Sequence, residues 1–387
     1  MSDKLLRFHK KHIISLFILA IVMSVSPLNS EASGNLDLNS EAFILIDAET
    51  NEILYERNAK KRMYPASITK ILTAVIAIET LDLQEKVTVS DKAVRAIGTR
   101  VYLLEDEEVT VEQLLHGLMV SSGNDAAIAI AEHIDGSVEK FAERMTRFAK
   151  YRIGVEQSNF ENPHGLFEAD HYTTAKDMAL ISSYAMKNET FRELVGTEYV
   201  DWVGEGWETR LYNHHPLLRQ NEEIIGIKNG FVRKSGYTLS TAAYVDDTEL
   251  IAVTLNAPSR NMAQQDTLEL LEYGFEHYET QWVSFEEEDP LIDYVLPEKV
   301  PVTTKIGEKV NAEISTDGMI QFFGKDDRLI SKLVLDEREP IELPRFRTNI
   351  DLQAKVSTFE HHHHYKDPHW LEWLLITGFY LLNNVND

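Results

Sequence analysis

Residues 64–70 read Tyr64-Pro65-Ala66-Ser67-Ile68-Thr69-Lys70, and apolar residues recur at 68, 71, 72, 75 and 78. That spacing predicts a helix over Ser67 to Leu81 with one apolar face, and Pro65 sits just ahead of its first turn. Ser67 and Lys70, three apart, then share a helix face. A serine hydroxyl is a poor nucleophile until a base takes its proton, and a desolvated lysine can be that base once its pKa falls. Ser122-Gly123-Asn124 follows 55 residues after Ser67, in a loop between helical segments. It offers a hydroxyl for relaying a proton and an amide for orienting substrate and lysine. Lys228-Asn229-Gly230 ends the apolar run Ile224-Ile225-Gly226-Ile227. An edge strand there would present a cation, a side-chain donor and a glycine that lets a substrate backbone approach. Together the three segments describe acyl transfer through a covalent serine ester.

Singly, each pattern is weak. The chain holds a second S-x-x-K at Ser137-Val138-Glu139-Lys140 and a second S-x-N at Ser259-Arg260-Asn261. Order separates them. Only the Ser67 copy is followed by an S-x-N segment and then by a K-x-G at a strand.

Outward from this core, Ala42 to Asp47 and Glu52 to Tyr55 read as a hairpin. Val111 to Leu118, Asp125 to Ile134, residues 138–152 and 174–187 are helical in pattern. After about 195 the texture changes to strands, at Ile224 to Lys228, Gly236 to Tyr244 and Glu249 to Asn256, before a helix over Thr267 to Tyr278. The expected fold is an α/β (α+β) domain over 36–283 with an antiparallel sheet flanked by helices. A charged, Pro-ended linker, Phe285 to Pro290, leads to a small all-β domain over 291–350.

The chain has 387 residues, a formal charge of -25 and no Cys. That charge argues against nucleic acid as a partner, since counterion release needs a basic face. The absence of Cys removes disulfides, thiolate catalysis and Cys-type zinc sites. There is no H-E-x-x-H, and the tract His361 to His364 reads as solvated, so no metal and no cofactor is expected. Lys4, Arg7, Lys10 and Lys11, then the apolar run Ile13 to Val25 and small residues around Ala32, form a signal peptide over 1–32. Trp370 to Leu382 is apolar apart from Glu372, Thr377 and Gly378, too short to span a bilayer. Within 366–387 it is expected to lie in the membrane interface. The chain is thus expected to be exported and attached to the outer face of the cytoplasmic membrane.

The sequence resembles the penicillin-recognising superfamily of β-lactamases and penicillin-binding proteins, whose patterns are S-x-x-K, S-D-N and K-T-G. It is most similar to the low-molecular-mass penicillin-binding proteins that are D-alanyl-D-alanine carboxypeptidases. The likeness runs from about Glu41 to Tyr278. It includes Tyr64 to Lys70, Ser121-Ser-Gly-Asn-Asp-Ala126, Asn162-Pro-His-Gly-Leu166, Gly226-Ile-Lys-Asn-Gly230 and Gly236-Tyr-Thr-Leu239. The resemblance implies a β-lactamase/transpeptidase-like fold. Ser67 would be the acylated nucleophile, Lys70 its general base, Ser122 and Asn124 the second motif, and Lys228 the anchor for the substrate carboxylate. It further implies an oxyanion hole from the backbone N–H groups of Ser67 and Phe231, beside Asn229 and Gly230, and a membrane-associating C-terminal segment.

Two departures stand out. Position 229 is Asn where the family usually has Thr, and His214 stands where relatives often place a basic residue before the leucine pair. Lys234-Ser235-Gly236 also fits K-[ST]-G, but Gly236 to Leu239 resembles the family's next strand, which leaves Lys234 in a turn. The implied activity is removal of the terminal D-Ala from peptidoglycan stem peptides, with β-lactams as covalent inhibitors. A β-lactamase is the alternative enzyme, yet Glu156, Glu161 and Glu168 lack an Asn four residues on. The Asn229 departure also leaves open a non-catalytic peptidoglycan-binding protein.

Overall fold

The computed structural model describes residues 36–285, 294–315 and 317–337. Strand β1 (Ala42–Asp47) pairs antiparallel with β2 (Ile53–Arg57) on one side and with β9 (Thr248–Ala257) on the other. Strands β7 (Ile224–Val232) and β8 (Gly236–Val245) complete a five-stranded antiparallel sheet in the order β2-β1-β9-β8-β7. Side chains alternate across a strand, and β1 shows it. Ile44 and Ile46 enter the larger core, and Phe43 and Leu45 enter the smaller one on the opposite face. Helix α8 (Arg260–His277) closes the smaller core with Leu270 and Leu271.

The larger core holds the helical subdomain. Its helices are α1 (Lys70–Thr80), α2 (Asp91–Val94), α3 (Val111–Met119), α4 (Asn124–Asp135), α5 (Val138–Phe148), α6 (Ala175–Met186) and α7 (Glu189–Gly196). Two small hairpins sit among them, β3 (Lys86–Thr88) with β4 (Glu108–Thr110), and β5 (Tyr199–Val203) with β6 (Glu208–Tyr212). The helical pattern expected over 138–152 divides into α5 and a π-helical turn, Ala149–Ile153. Helix α8 starts seven residues before the expected Thr267, because Ser259 caps it by accepting from the Met262 N–H at 3.1 Å.

Beyond α8 the chain passes straight into β10 (Tyr278–Ser284), which pairs along its whole length with β11 (Lys299–Lys305). The expected boundary at 283 therefore falls inside a strand. Strands β12 (Asn311–Ile314), β13 (Met319–Phe323) and β14 (Leu329–Val334) form a three-stranded sheet over Val302, Ile320, Phe322 and Leu335. The buried Asp47 at the end of β1 accepts hydrogen bonds from Thr280 Oγ1 at 2.6 Å and Thr303 Oγ1 at 2.9 Å. One carboxylate thus joins the five-stranded sheet to β10 and β11. The expected signal peptide, residues 286–290 of the linker, the His tract and the segment 366–387 lie outside the described residues.

Candidate active site

The chain reaches Ser67 through Ala66, whose φ of 51° is left-handed and disfavoured for a residue with a Cβ. Thr238 Oγ1 on β8 holds the approach by donating to the Pro65 carbonyl at 2.9 Å. Residues Ala66–Thr69 then form a 3-10 turn before α1 begins at Lys70. The expected α-helical start at Ser67 is thus tighter than an α-helix. With three residues per turn, positions i and i+3 eclipse, which stacks Lys70 directly over Ser67.

Lys70 is fully buried, and its Nζ has three neighbours at hydrogen-bond distance: Asn124 Oδ1 at 2.8 Å, the His164 carbonyl at 2.9 Å and Ser67 Oγ at 3.3 Å. Burial holds its pKa well below the usual lysine range, and the charge of Lys228 adds to the effect, opposed by Asp125. A neutral amine has two N–H bonds and one lone pair. Two of the three neighbours are carbonyl-type oxygens that can only accept, so they take the N–H bonds. In that neutral form the lone pair would face Ser67 Oγ, the only neighbour with a proton to give.

Asn124 cannot turn over. Its Nδ2 donates to the Ile97 carbonyl at 2.7 Å and its backbone N–H donates to the Thr99 carbonyl at 2.7 Å. This fixes Oδ1 toward Lys70. Ser122, two residues earlier, is buried with a φ of 61° in the loop that leads into α4.

Strand β7 supplies the opposite wall. Lys228 is buried, and burial lowers its pKa to about 7. Its Nζ lies 3.4 Å from Asn229 Oδ1. Gly230 is packed so tightly that a Cβ there would come within 2.7 Å of the Ser67 nitrogen. β7 therefore runs against the start of the helix, where N–H groups have no intrahelical partner. Phe231 is exposed and stacks obliquely on Tyr237 at 4.5 Å. Lys234 is exposed in the turn between β7 and β8.

The duplicate motifs have other work. Ser137 caps α5 by accepting from the Lys140 N–H at 3.2 Å, and Ser259 caps α8. Neither presents a hydroxyl to an amine.

Sequence reasoning missed two contributions. Asn162-Pro163-His164-Gly165-Leu166 counted there only as part of the likeness, yet the His164 backbone carbonyl meets Lys70. The imidazole Nδ1 accepts from the Leu166 N–H at 3.2 Å, and burial, with the charges of Lys70 and His171, lowers its pKa to about 3. Asn162 Oδ1 braces the loop by accepting from the Gly165 N–H at 2.7 Å, and Thr73 Oγ1 donates to the Pro163 carbonyl at 2.6 Å. Arg260, at the start of α8, was also missed. It lines a cavity of about 460 Å³ with Asn229, His214, Tyr212 and Arg219. Confinement there, with the charges of Lys228, Arg260 and Lys70, holds the His214 pKa down to about 4. Among the described residues, no cluster of His, Asp and Glu could hold a metal ion.

Comparison with known proteins agrees with this arrangement. The family model described as D-alanyl-D-alanine carboxypeptidase matches residues 29–259. The D-alanyl-D-alanine carboxypeptidase DacF of Bacillus subtilis is 29% identical over 325 residues, covering 78% of this chain and 83% of its own. DacC of Escherichia coli is 31% identical over 256 residues, 63% of each chain. Penicillin binding protein 5 of Haemophilus influenzae superposes with a TM-score of 0.68 at 24% identity, covering 79% of this chain and 98% of that one, which shows a shared fold. A point mutant of the DD-transpeptidase of Streptomyces K15 gives a TM-score of 0.59 at 28% identity, over 62% of this chain and 99% of that one. With its antiparallel sheet, its flanking helices and more than half its length matched by the family model, this chain belongs to the D-alanyl-D-alanine carboxypeptidase family.

Proposed function

We propose that this protein is a serine-type D-Ala-D-Ala carboxypeptidase that removes the terminal D-Ala from peptidoglycan stem peptides. The observation that carries the reading is the fully buried Lys70, whose Nζ lies 3.3 Å from Ser67 Oγ while its other two neighbours are oxygens that can only accept. Lys70 takes the hydroxyl proton as Ser67 attacks the penultimate D-Ala carbonyl. The carbonyl oxygen gains charge between the N–H groups of Ser67 and Phe231, where fixed donors stabilise it. The proton passes to the departing nitrogen, free D-Ala leaves, and water hydrolyses the ester. Ser122 serves the proton relay.

Lys228, in its charged form, and Asn229 hold the substrate's terminal carboxylate. With Oδ1 turned to Lys228, the Asn229 amide keeps Nδ2 as a donor, doing the work of the usual Thr hydroxyl. Arg260, beside Asn229, adds a second cation. A penicillin acylates the same serine. The decisive experiment measures D-Ala release from a pentapeptide, together with fluorescent-penicillin labelling. Release and labelling, both lost in Ser67→Ala, are expected; rapid turnover of the penicillin would instead support a β-lactamase.

The basic-then-apolar start of the sequence and the aromatic, apolar segment 366–387 support export and attachment to the outer face of the cytoplasmic membrane. Deleting 366–387 is expected to release the protein from membranes. Unchanged membrane association would remove the anchor.

A further inference from the structure

The cavity beside Asn229 is larger than the reaction needs. Its wall includes Asn229 and Arg260 but neither Ser67 nor Lys70, so it adjoins the carboxylate-holding position without reaching the nucleophile. The methyl group of a departing D-Ala fills a space on the order of a water's 30 Å³, whereas the cavity measures about 460 Å³. Tyr212, Arg219 and Gln264 line the same cavity. The Arg219 guanidinium lies over the Tyr212 ring at 5.3 Å, which sets its direction. Among the described residues neither Arg219 nor Arg260 is paired with a carboxylate. In a chain of charge -25 two neighbouring guanidinium groups without an acidic partner are conspicuous. One of them suffices for the α-carboxylate. The second answers to another anion.

We propose that Tyr212, Arg219 and Gln264 form a subsite for the side chain of the departing D-residue, and that it favours an acidic one. The inference rests on the carboxypeptidase reading and extends it. The chemistry is unchanged: Ser67 Oγ bonds to the D-Ala carbonyl carbon and the C–N bond to the departing residue breaks. The serine proton reaches the departing nitrogen through Lys70, and the product is a free D-amino acid with two carboxylates. Arg219 holds the second carboxylate in a charge-assisted, two-pronged contact, and Gln264 donates beside it.

The test uses three acylated peptides ending in D-Ala-D-Ala, D-Ala-D-Glu and D-Ala-D-norvaline, the last matching length without charge. The full chain is expected to release D-Glu with a kcat/KM about tenfold above that for D-norvaline, the worth of a charged hydrogen bond. Arg219→Gln should shrink that ratio toward one, as should raising salt, since the contact is exposed to solvent. Arg219 is at the surface, and a thermal melt verifies that the variant is folded. Release of D-Ala without D-Glu, a ratio near one in the unaltered protein, or a ratio indifferent to Arg219→Gln overturns the subsite alone. Failure to release D-Ala at all overturns the carboxypeptidase reading and the subsite with it.

Discussion

Gly165 lies against the backbone of Ala66 so closely that a methyl group on it would come within 1.8 Å of the Ala66 carbonyl oxygen. Gly165 also has a φ of 87°, which residues with a Cβ avoid. Gly165→Ala should therefore push the His164 loop away from the turn bearing Ser67, at a cost of about 3 kcal/mol or more. The melting temperature falls and penicillin acylation slows by orders of magnitude. A variant that melts and acylates like the parent would show that this contact is slack.

Asn124 offers a test of the neutral lysine. Replacing it by Asp puts a carboxylate where Oδ1 now lies 2.8 Å from Lys70. A negative neighbour favours the ammonium form, so the Lys70 pKa rises and the lone pair is lost at neutral pH. The acid limb of the acylation profile should move to higher pH, with rate recovered as alkali is added. An unmoved limb would mean that Lys70 is not the group titrating.

Lys228 works with the opposite sign, because its charged form binds the carboxylate. With a pKa near 7, kcat/KM should fall as pH rises through that value. At saturating substrate the bound carboxylate raises the pKa, so the alkaline limb of kcat lies higher. Lys228→Arg, always charged, should abolish the alkaline limb of kcat/KM even if its maximum drops. Lys228→Ala should abolish acylation while Lys234→Ala spares it, and the reverse would move the carboxylate site to Lys234. The same lysine bears on stability. Between pH 7 and its unfolded value near 10.4 the unfolded chain binds more protons, so stability rises with pH across that window and does not vary with this group below it.

Asp47 is the joint between sheet and C-terminal strands. Asp47→Ala leaves Thr280 and Thr303 without their shared acceptor and should cost about 2–4 kcal/mol. Urea melts should show an earlier midpoint, while acylation of the folded fraction is retained. Loss of acylation without loss of stability would place Asp47 in the catalytic machinery instead.

Much of this was legible because strong periodicity and short motifs coincide. β1, β9 and α1 are buried along nearly their whole length and announce themselves as apolar runs. β5 and β6 do not. Each buries one residue, Trp202 or Leu211, so their alternation is faint. β3 and β4 have three residues apiece, too few to show a period. Motif order separated Ser67 from Ser137 and Ser122 from Ser259, and the hydroxyls of Ser137 and Ser259 cap helices. What the residues could not disclose was a backbone group. The carbonyl that completes the Lys70 environment belongs to His164, and any amino acid there carries the same oxygen. Arg260 went unseen for another reason: it belongs to no short pattern, and only the packing of α8 on the sheet brings it to Asn229.

The three oxygens around Lys70 come from Ser67, Asn124 and His164, stretches spread over nearly a hundred residues of the chain. The surroundings of Lys70 are complete only when all three stretches have packed together. A half-folded molecule is accordingly not a slow enzyme but a silent one, and the share of chains that take up a penicillin label counts the share that have finished folding.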